Sequence, residues 1–167
     1  MPLLLALLRA PKRLLWTVLV QQTARVCGHG LRVNAFSRVT RRTQLGSNVH
    51  FNGMEITGGG EVRIGDNFHS GSECVIMTQN HNYLGEELPY DSTYLVAPVT
   101  ICDNVWLGRR VMVMPGVTIG EGAIIQAGSV VVGDIPACSI AGGHPARVFK
   151  MRDRDHYDRL KAAGRFH

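Results

Sequence analysis

Large aromatic side chains and charged side chains are scarce in this 167-residue sequence. Aromatic residues make up 7% and charged residues 19%, whereas 45% of the residues are hydrophobic and 19 are glycine. This hydrophobic content excludes a disordered tail protein, and the length is typical of one domain. Because a compact core normally depends on large aromatic side chains, the composition indicates a thin and repetitive core instead.

Closely spaced cysteines are also missing. Cys27, Cys74, Cys102 and Cys138 stand far apart and form no Cys-x-x-Cys pair. The spacing excludes a zinc knuckle and the dense disulfide framework of small secreted proteins. We therefore expect a reducing compartment, the cytoplasm. The histidines show no metal-like clustering either, so we expect no bound metal ion.

Acidic residues are absent from residues 1–54, which contain eight basic ones, whereas the rest of the chain holds ten basic and thirteen acidic residues. A basic first part suggests an anionic neighbour: a membrane surface, a polyanionic glycan or a nucleic acid. A solvated basic face explains the same charges equally well. No base-stacking motif accompanies them, so we expect no nucleic-acid partner.

The sequence also lacks an uninterrupted hydrophobic run of membrane-spanning length. Residues 1–20 are the most apolar stretch, but Arg9, Pro11, Lys12 and Arg13 interrupt it, which argues against a spanning helix. No basic region precedes the apolar run, so we expect no signal peptide. We predict an N-terminal helical segment within residues 1–30. It packs on its own domain or on a partner subunit, or residues 1–25 make a peripheral membrane contact.

A six-residue repeat dominates the second half of the chain. An aliphatic residue occupies every sixth position, at Ile101, Leu107, Val113, Ile119, Ile125 and Val131. Four positions after the first five of these stand Val105, Val111, Val117, Ala123 and Ser129. A period of six fits neither an α-helix nor a simple alternating strand. It predicts a chain that turns a corner every six residues and stacks coil upon coil.

The same register occurs upstream, at Val33, Val39, Leu45 and Phe51, and again at Ile64, Ser70 and Ile76. It slips at residues 54–61, where three consecutive glycines predict a bulge or loop, and it is interrupted at residues 79–97. We therefore predict a repeat domain over residues 31–146 with an inserted loop at 79–97. Residues 147–167 are predicted to form a capping segment with a short helix, because a solenoid needs a cover at its open end.

The sequence resembles the hexapeptide-repeat acyltransferases over nearly the whole repeat domain. The segments that carry the resemblance are Asn-Val-Trp-Leu-Gly at 104–108, residues 114–131, and Gly-Gly-His-Pro-Ala-Arg-Val-Phe-Lys at 142–150. The resemblance implies an all-β fold, a left-handed parallel β-helix of triangular section. Within the family the sequence is most similar to the sugar O-acetyltransferases of the nodulation, galactoside and capsule type. It also implies a homotrimer with sites in the clefts between neighbouring subunits.

The inserted loop is the predicted catalytic region. It contains three of the four tyrosines and His81, and family members carry a histidine at this place. An imidazole has the pKa range needed to take a proton from an attacking hydroxyl. We therefore expect His81 to be the general base that transfers acetyl directly from acetyl-CoA to a saccharide hydroxyl in a ternary complex. Asn80, Tyr83 and Asp91 have side chains that read hydroxyl groups, and they are candidates for the acceptor site.

Further site residues follow from the resemblance. Trp106 stands where relatives line the active cleft, so the resemblance places it beside His81 and the acceptor. Alternatively, it simply fills an exposed face of the prism. Relatives hold coenzyme A through positions that correspond here to Arg109, Ala127, Arg147 and Lys150, and basic side chains suit its phosphates. A lysine contact found in relatives before the Asp-Ile-Pro segment is absent, since Val132 and Gly133 precede Asp134.

Three other functions compete with this interpretation. A γ-type carbonic anhydrase is excluded, because no histidine follows between Asn82 and Gly143 to complete a three-histidine zinc site. An acetyltransferase of an antibiotic or an amino sugar remains open, since the loop rather than the fold sets the acceptor. So does a non-catalytic glycan-binding or scaffold solenoid, in which His81 is incidental.

Overall fold

The computed structural model describes the backbone of residues 2–167 and the side chains of residues 12–167. The fold is a parallel β-helix with three sheets, which confirms the predicted class. Within residues 2–167, four coils contribute a strand to every sheet, and a partial coil lies at each end. Ile101 is the register partner of Ile119, so three six-residue repeats complete one coil.

The strands distribute over the three sheets in a regular order. The first sheet contains β1 (Val26–Cys27), β3 (Thr43–Leu45), β6 (Val62–Ile64), β11 (Val99–Ile101) and β14 (Thr118–Ile119). The second contains β2 (Arg32–Val33), β4 (His50–Phe51), β7 (His69–Ser70), β12 (Trp106–Leu107), β15 (Ile124–Ile125), β17 (Ser139–Gly143) and β18 (Ala146–Met151). The third contains β5 (Met54–Thr57), β8 (Cys74–Met77), β13 (Met112–Val113) and β16 (Val130–Val131).

Other elements lie outside these three sheets. They are the helices α1 (Pro2–Thr23) and α2 (Arg154–Ala162) and an antiparallel hairpin of β9 (Gln79–His81) and β10 (Tyr94–Val96). The second sheet ends in the antiparallel pair β17–β18, whereas its other strand pairs are parallel.

The repeat positions form the core, as the six-residue spacing predicts. Ile101, Leu107, Val113, Ile119, Ile125 and Val131 are each at most 1% exposed. Adjacent coils lie about 4.8 Å apart, so each of these side chains packs directly on its equivalent one coil away. Leu107, for example, has Ile125 as its register partner in the next coil. Stacked aliphatic side chains therefore fill most of the narrow interior, and the fully buried Phe51 and Phe68 are the large aromatic side chains in this core cluster.

An asparagine column marks the corner between the first and second sheets. Asn48, Asn67 and Asn104 all have φ between 54° and 58°, a left-handed conformation that asparagine tolerates better than most residues. Their side-chain amides donate to one another in sequence at 3.0 Å. The last amide donates to the hydroxyl of Tyr157 at 2.9 Å, and that hydroxyl donates to Glu121 at 2.7 Å.

Helix α1 covers the first coil. Val20 is 2% exposed, the hydroxyl of Thr17 accepts a hydrogen bond from the Val33 nitrogen at 3.1 Å, and Trp16 packs edge-on against Phe36. The β-helix begins at β1, a few residues before the predicted boundary at 31. Side chains of residues 1–11, part of the predicted membrane contact, lie outside the described residues. No helix in the searched part of the chain is apolar over enough length to cross a membrane.

The C-terminal segment differs from the predicted cap. Strand β18 reverses the chain against β17, and α2 and the residues after it then run back along the side of the β-helix. Tyr157 contacts the fourth and fifth coils through Asn104 and Glu121. The amide of Asn48 in the second coil donates to the carbonyl of His167 at 2.8 Å. The segment thus braces the asparagine column along several coils.

Candidate active site

The hairpin β9–β10 leaves the β-helix between the third sheet and the first. It separates β8 of the third coil from β11 of the fourth, as the interruption of the repeat predicts. His81 and Tyr94 are cross-strand partners in this hairpin, so their side chains lie on the same face.

His81 contacts two tyrosine rings. Its imidazole stacks on Tyr90 with the ring centroids 3.8 Å apart and the planes inclined by 18°, and Tyr94 lies 4.8 Å away. The side chain remains exposed, beside a cavity of about 250 Å³. Among the described residues, no hydrogen bond engages either imidazole nitrogen. Both nitrogens are therefore accessible to a ligand.

The sequence did not reveal the two stacking tyrosines as partners of His81. Tyr90 and Tyr94 are visible in the loop composition, but their contact with His81 depends on hairpin pairing across more than ten residues. The sequence feature that could have predicted the contact with Tyr94 is the apolar run Tyr94-Leu95-Val96, which forms β10. Pairing that run with Gln79–His81 predicts the contact.

The three acceptor-site candidates occupy different environments. Asn80 is exposed and adjoins the cavity beside His81, and Tyr83 is 68% exposed near the tip of the loop. Asp91 instead holds the loop together. Its carboxylate accepts from the nitrogens of Thr93 and Glu86 at 2.9 and 3.0 Å. The hydrogen bonds from Thr93 and Glu86 keep the pKa of Asp91 below its usual value.

Gly85 permits this loop closure. A Cβ atom at Gly85 would lie 2.2 Å from a carboxylate oxygen of Asp91. Any larger residue would displace the carboxylate that ties the outgoing and returning halves of the loop. Asp91 therefore supports the loop that presents His81.

Trp106 does not lie beside His81 within one chain. It is in β12 of the second sheet, 54% exposed, between His69 and Ile124 in the adjacent coils. It faces a cavity of about 360 Å³ whose other wall includes Arg165 and Phe166 of the C-terminal segment. The expectation of a cleft shared with His81 is thus not met by a single chain, because the two residues belong to different faces of the prism.

Three of the four predicted coenzyme A residues follow one corner, between the second and third sheets. Arg109 and Ala127 occupy equivalent turns of the fourth and fifth coils, and the Gly128 nitrogen donates to the Arg109 carbonyl at 2.8 Å. Arg147 in β18 pairs with Gly142 of the partial last coil. Lys150 pairs with Ile140, further along the same strand. We call this corner, formed by Arg109, Ala127 and Arg147, the basic ridge.

Glu73 is a neighbour of this ridge that the sequence did not indicate. Its carboxylate accepts from Arg109 and, at 2.6 Å, from Nε of Arg110. The hydrogen bonds from Arg110 and Arg109 lower the pKa of Glu73. The partners lie one coil apart in space but are separated in the sequence by the inserted loop, so no spacing rule connects them.

The outer face of the third sheet joins the basic ridge to His81. Strand β8 begins at Cys74, whose thiol lies 3.1 Å from the carbonyl oxygen of Gly108 beside the ridge. The strand ends at Met77, which lines the cavity beside His81. The distance along the strand from Cys74 to Met77 is about 10 Å. A second cavity, of about 650 Å³, lies over the start of the same strand and includes Glu73 and Val75.

Comparisons with known proteins agree with this architecture. The family described as "Bacterial transferase hexapeptide (six repeats)" matches residues 98–133. Galactoside O-acetyltransferase of Escherichia coli (strain K12) is 38% identical over 122 residues, which cover 67% of this chain and 59% of the relative.

Two solved structures share the fold. A galactoside acetyltransferase in complex with coenzyme A has a TM-score of 0.71 and 30% identity, covering 86% of this chain and 71% of that one. A hexapeptide-repeat acetyltransferase of Vibrio cholerae complexed with acetyl coenzyme A has a TM-score of 0.69 and 26% identity, covering 80% and 74%. The chain spans less than two thirds of the length of the first sequence relatives that it matches. By its repeat, its fold and these relatives, the chain belongs to the hexapeptide-repeat acyltransferase family.

Proposed function

We propose that this protein is an acetyl-CoA-dependent O-acetyltransferase of a saccharide, with His81 as the general base. The observation that carries the proposal is the environment of His81. An exposed imidazole is held flat by Tyr90, adjoins a cavity, and has no hydrogen-bond partner among the described side chains. A histidine that served only to hold the loop would be expected to hydrogen-bond its neighbours.

The relatives support the acyl donor and the acceptor class. The galactoside acetyltransferase holds coenzyme A, and the Vibrio cholerae relative holds acetyl coenzyme A. The basic ridge fits such a ligand, because guanidinium groups form strong charge-assisted hydrogen bonds with phosphates. Arg147 donates only to the adjacent Ala146 carbonyl, at 2.9 Å, among the described residues. Its guanidinium is therefore available to a phosphate.

His81 would carry the proton through the reaction. A bound acetyl-CoA supplies the acetyl group as a thioester. Nε2 or Nδ1 of His81 removes the proton from the saccharide hydroxyl as its oxygen attacks the thioester carbonyl. The C–O bond forms, the C–S bond breaks, and the imidazolium returns the proton to the departing thiolate. The products are the O-acetyl saccharide and coenzyme A, and no covalent enzyme intermediate is needed.

A homotrimer would explain the separation of Trp106 from His81. Trp106 lies on the second sheet, whereas His81 lies beside the third. A cleft in which the third sheet of one subunit faces the second sheet of another brings the two residues together. The proposed site is then shared by two subunits, and neither of them contains a complete cleft.

The test is a coenzyme A release assay with acetyl-CoA and a panel of galactosides, glucosides and amino sugars. We expect turnover of at least one hydroxyl acceptor by the wild-type protein. His81→Ala should lower kcat by about 10²- to 10⁴-fold while acetyl-CoA still binds in an equilibrium titration. His29→Ala is the matched control, since His29 is also exposed but lies at the first coil.

Each alternative has its own outcome in this assay. Turnover of amines alone would support the amino-sugar alternative and reject transfer to oxygen. Absence of acetyl-CoA binding by both proteins would support the scaffold solenoid. Full activity of His81→Ala would reject His81 as the base.

The shared cleft has an independent test. Mixing inactive His81→Ala chains with inactive Trp106→Ala chains should restore part of the activity, because some clefts then combine two intact residues. If subunits exchange, as mass measurements on tagged chains would show, and activity does not return, the shared cleft is wrong.

A further inference from the structure

The outer side of α1 is apolar although it faces away from the β-helix. Leu14, Leu15, Val18 and Leu19 are 67%, 51%, 36% and 41% exposed. We call these four residues the outer apolar face. Four exposed apolar side chains that adjoin one another on a helix mark a contact surface rather than the scattered hydrophobic residues of an ordinary protein surface.

This face lies opposite the side by which α1 docks. The docked side contains Val20, which is buried, and Thr17, which accepts a hydrogen bond from Val33. At 100° per residue, the outer apolar face is centred about half a turn away from these residues. The helix thus has one apolar side used by its own domain and a second that the described chain leaves uncovered.

Positive charge adjoins the outer apolar face. Lys12 lies at the edge of this face, beside Leu19, whereas Arg13 lies on the side of the helix that carries Val20. Neither forms an ion pair with another described residue. Residues 1–54 contain eight basic residues and no acid. An apolar helix face with a basic residue at its edge, in a segment rich in basic residues, is typical of helices that lie in a membrane interface.

We infer that the outer apolar face of α1 docks onto the surface of an anionic membrane, parallel to its plane. The charge distribution favours this partner over a second copy of the chain. Pairing two copies through α1 would bring two strongly basic segments together, and their repulsion opposes contact. Anionic lipid headgroups neutralise the same charges while the acyl region accepts the leucines. The inference stands on α1 alone and does not depend on the proposed acetyl transfer.

The experiment measures flotation of the full chain with vesicles. One set contains equal parts phosphatidylglycerol and phosphatidylcholine, and the other contains phosphatidylcholine alone. We expect binding to the anionic vesicles and weaker binding to the neutral ones, with a decrease at high salt because screening weakens the attraction to lipid charge.

Paired substitutions separate the two contributions. Leu14→Ser with Val18→Ser should weaken anionic-vesicle binding by about tenfold or more. Its matched control is Val132→Ser with Val148→Ser, two exposed apolar residues in the last coils, and this control should bind as the wild type does. Lys12→Gln should cost about fivefold, whereas Arg154→Gln on α2 should have little effect.

Several outcomes would overturn the inference. One is the absence of vesicle binding by the wild-type protein, and another is equal binding by the Leu14→Ser, Val18→Ser variant. A third is a change of sedimentation mass in that variant without a change in vesicle binding, which would assign the face to a contact between subunits. Circular dichroism of each variant checks that α1 remains folded.

Discussion

The imidazole of His81 lies 3.8 Å from the ring of Tyr90, centroid to centroid, with the two planes inclined by 18°. A general base needs a fixed orientation towards the proton it removes. In many active sites a hydrogen bond from a third residue provides that orientation. In the proposed mechanism, aromatic stacking on Tyr90 provides this orientation for His81 and leaves the ring nitrogens accessible.

Tyr90 should therefore matter for turnover through its ring. We expect Tyr90→Ala to lower kcat by about tenfold, because His81 loses one wall of its stack, whereas Tyr90→Phe keeps near wild-type kcat. The control Leu84→Ala removes another exposed apolar side chain of the same loop. Steady-state kinetics with a fixed acceptor measure the effect. If Tyr90→Phe lowers kcat as much as Tyr90→Ala does, the hydroxyl rather than the ring is responsible for the effect.

Arg147 should act on donor binding rather than on chemistry. Its guanidinium is exposed at the end of the basic ridge. Removing one charge-assisted contact to a phosphate typically costs about tenfold in affinity. We expect Arg147→Ala to raise KM for acetyl-CoA by about that factor with kcat unchanged. Arg63→Ala, an exposed arginine on the first sheet, is the control, and an equal rise in that variant would indicate only a general charge effect.

Tyr157 should contribute to stability. Burial and the Glu121 carboxylate raise its pKa, so its hydroxyl remains a donor to Glu121 and an acceptor from Asn104. We expect Tyr157→Phe to lower the free energy of unfolding by about 1–2 kcal/mol and Tm by about 2–8 °C. Tyr83→Phe, which removes an exposed hydroxyl, should change neither. Thermal unfolding followed by circular dichroism measures the two Tm values. Equal Tm values for the two variants would contradict a stabilising role of the Tyr157 hydroxyl.

His50 should make stability depend on pH. It is buried, and its Nε2 has no hydrogen-bond partner among the residues that the structure describes. Burial, followed by the charges of His69, Arg32, His167 and Arg13, lowers its pKa from 6.5 to about 4. Between these values the unfolded chain binds a proton that the folded chain does not, so the free energy of unfolding falls as pH falls. Below about pH 4 this contribution stops changing.

Urea unfolding across pH 4 to 8 tests the effect of His50. His69 also has a lowered pKa, with burial as the main cause, and it adds to the dependence in the same direction. His50→Gln cannot titrate and should show a shallower decline between pH 6.5 and 4 than the wild type. If the free energy of unfolding declines equally with falling pH in both proteins, His50 is excluded as a source of the pH dependence.

Some of the site was predictable and some was not. His81 was identified because it is the histidine of a polar loop that interrupts a regular repeat. Arg109 and Ala127 were assigned through the family resemblance, and the stacked coils place their turns one above the other. Glu73 was not foreseen, since its contacts with Arg109 and Arg110 join residues more than 30 positions apart. The separation of Trp106 from His81 likewise needed the sheet assignment of each.

The sequence alone determined the stacked coils, since a six-residue aliphatic period has one satisfactory burial pattern, in which the repeated aliphatic positions point into the interior. It also marked the inserted loop as the exception to that pattern. Only the tertiary structure decided how the loop folds back on His81, which side of α1 remains exposed, and that the C-terminal segment braces the asparagine column. These features depend on contacts between segments distant in the chain. No local period encodes them, because their geometry exists only once the coils have stacked.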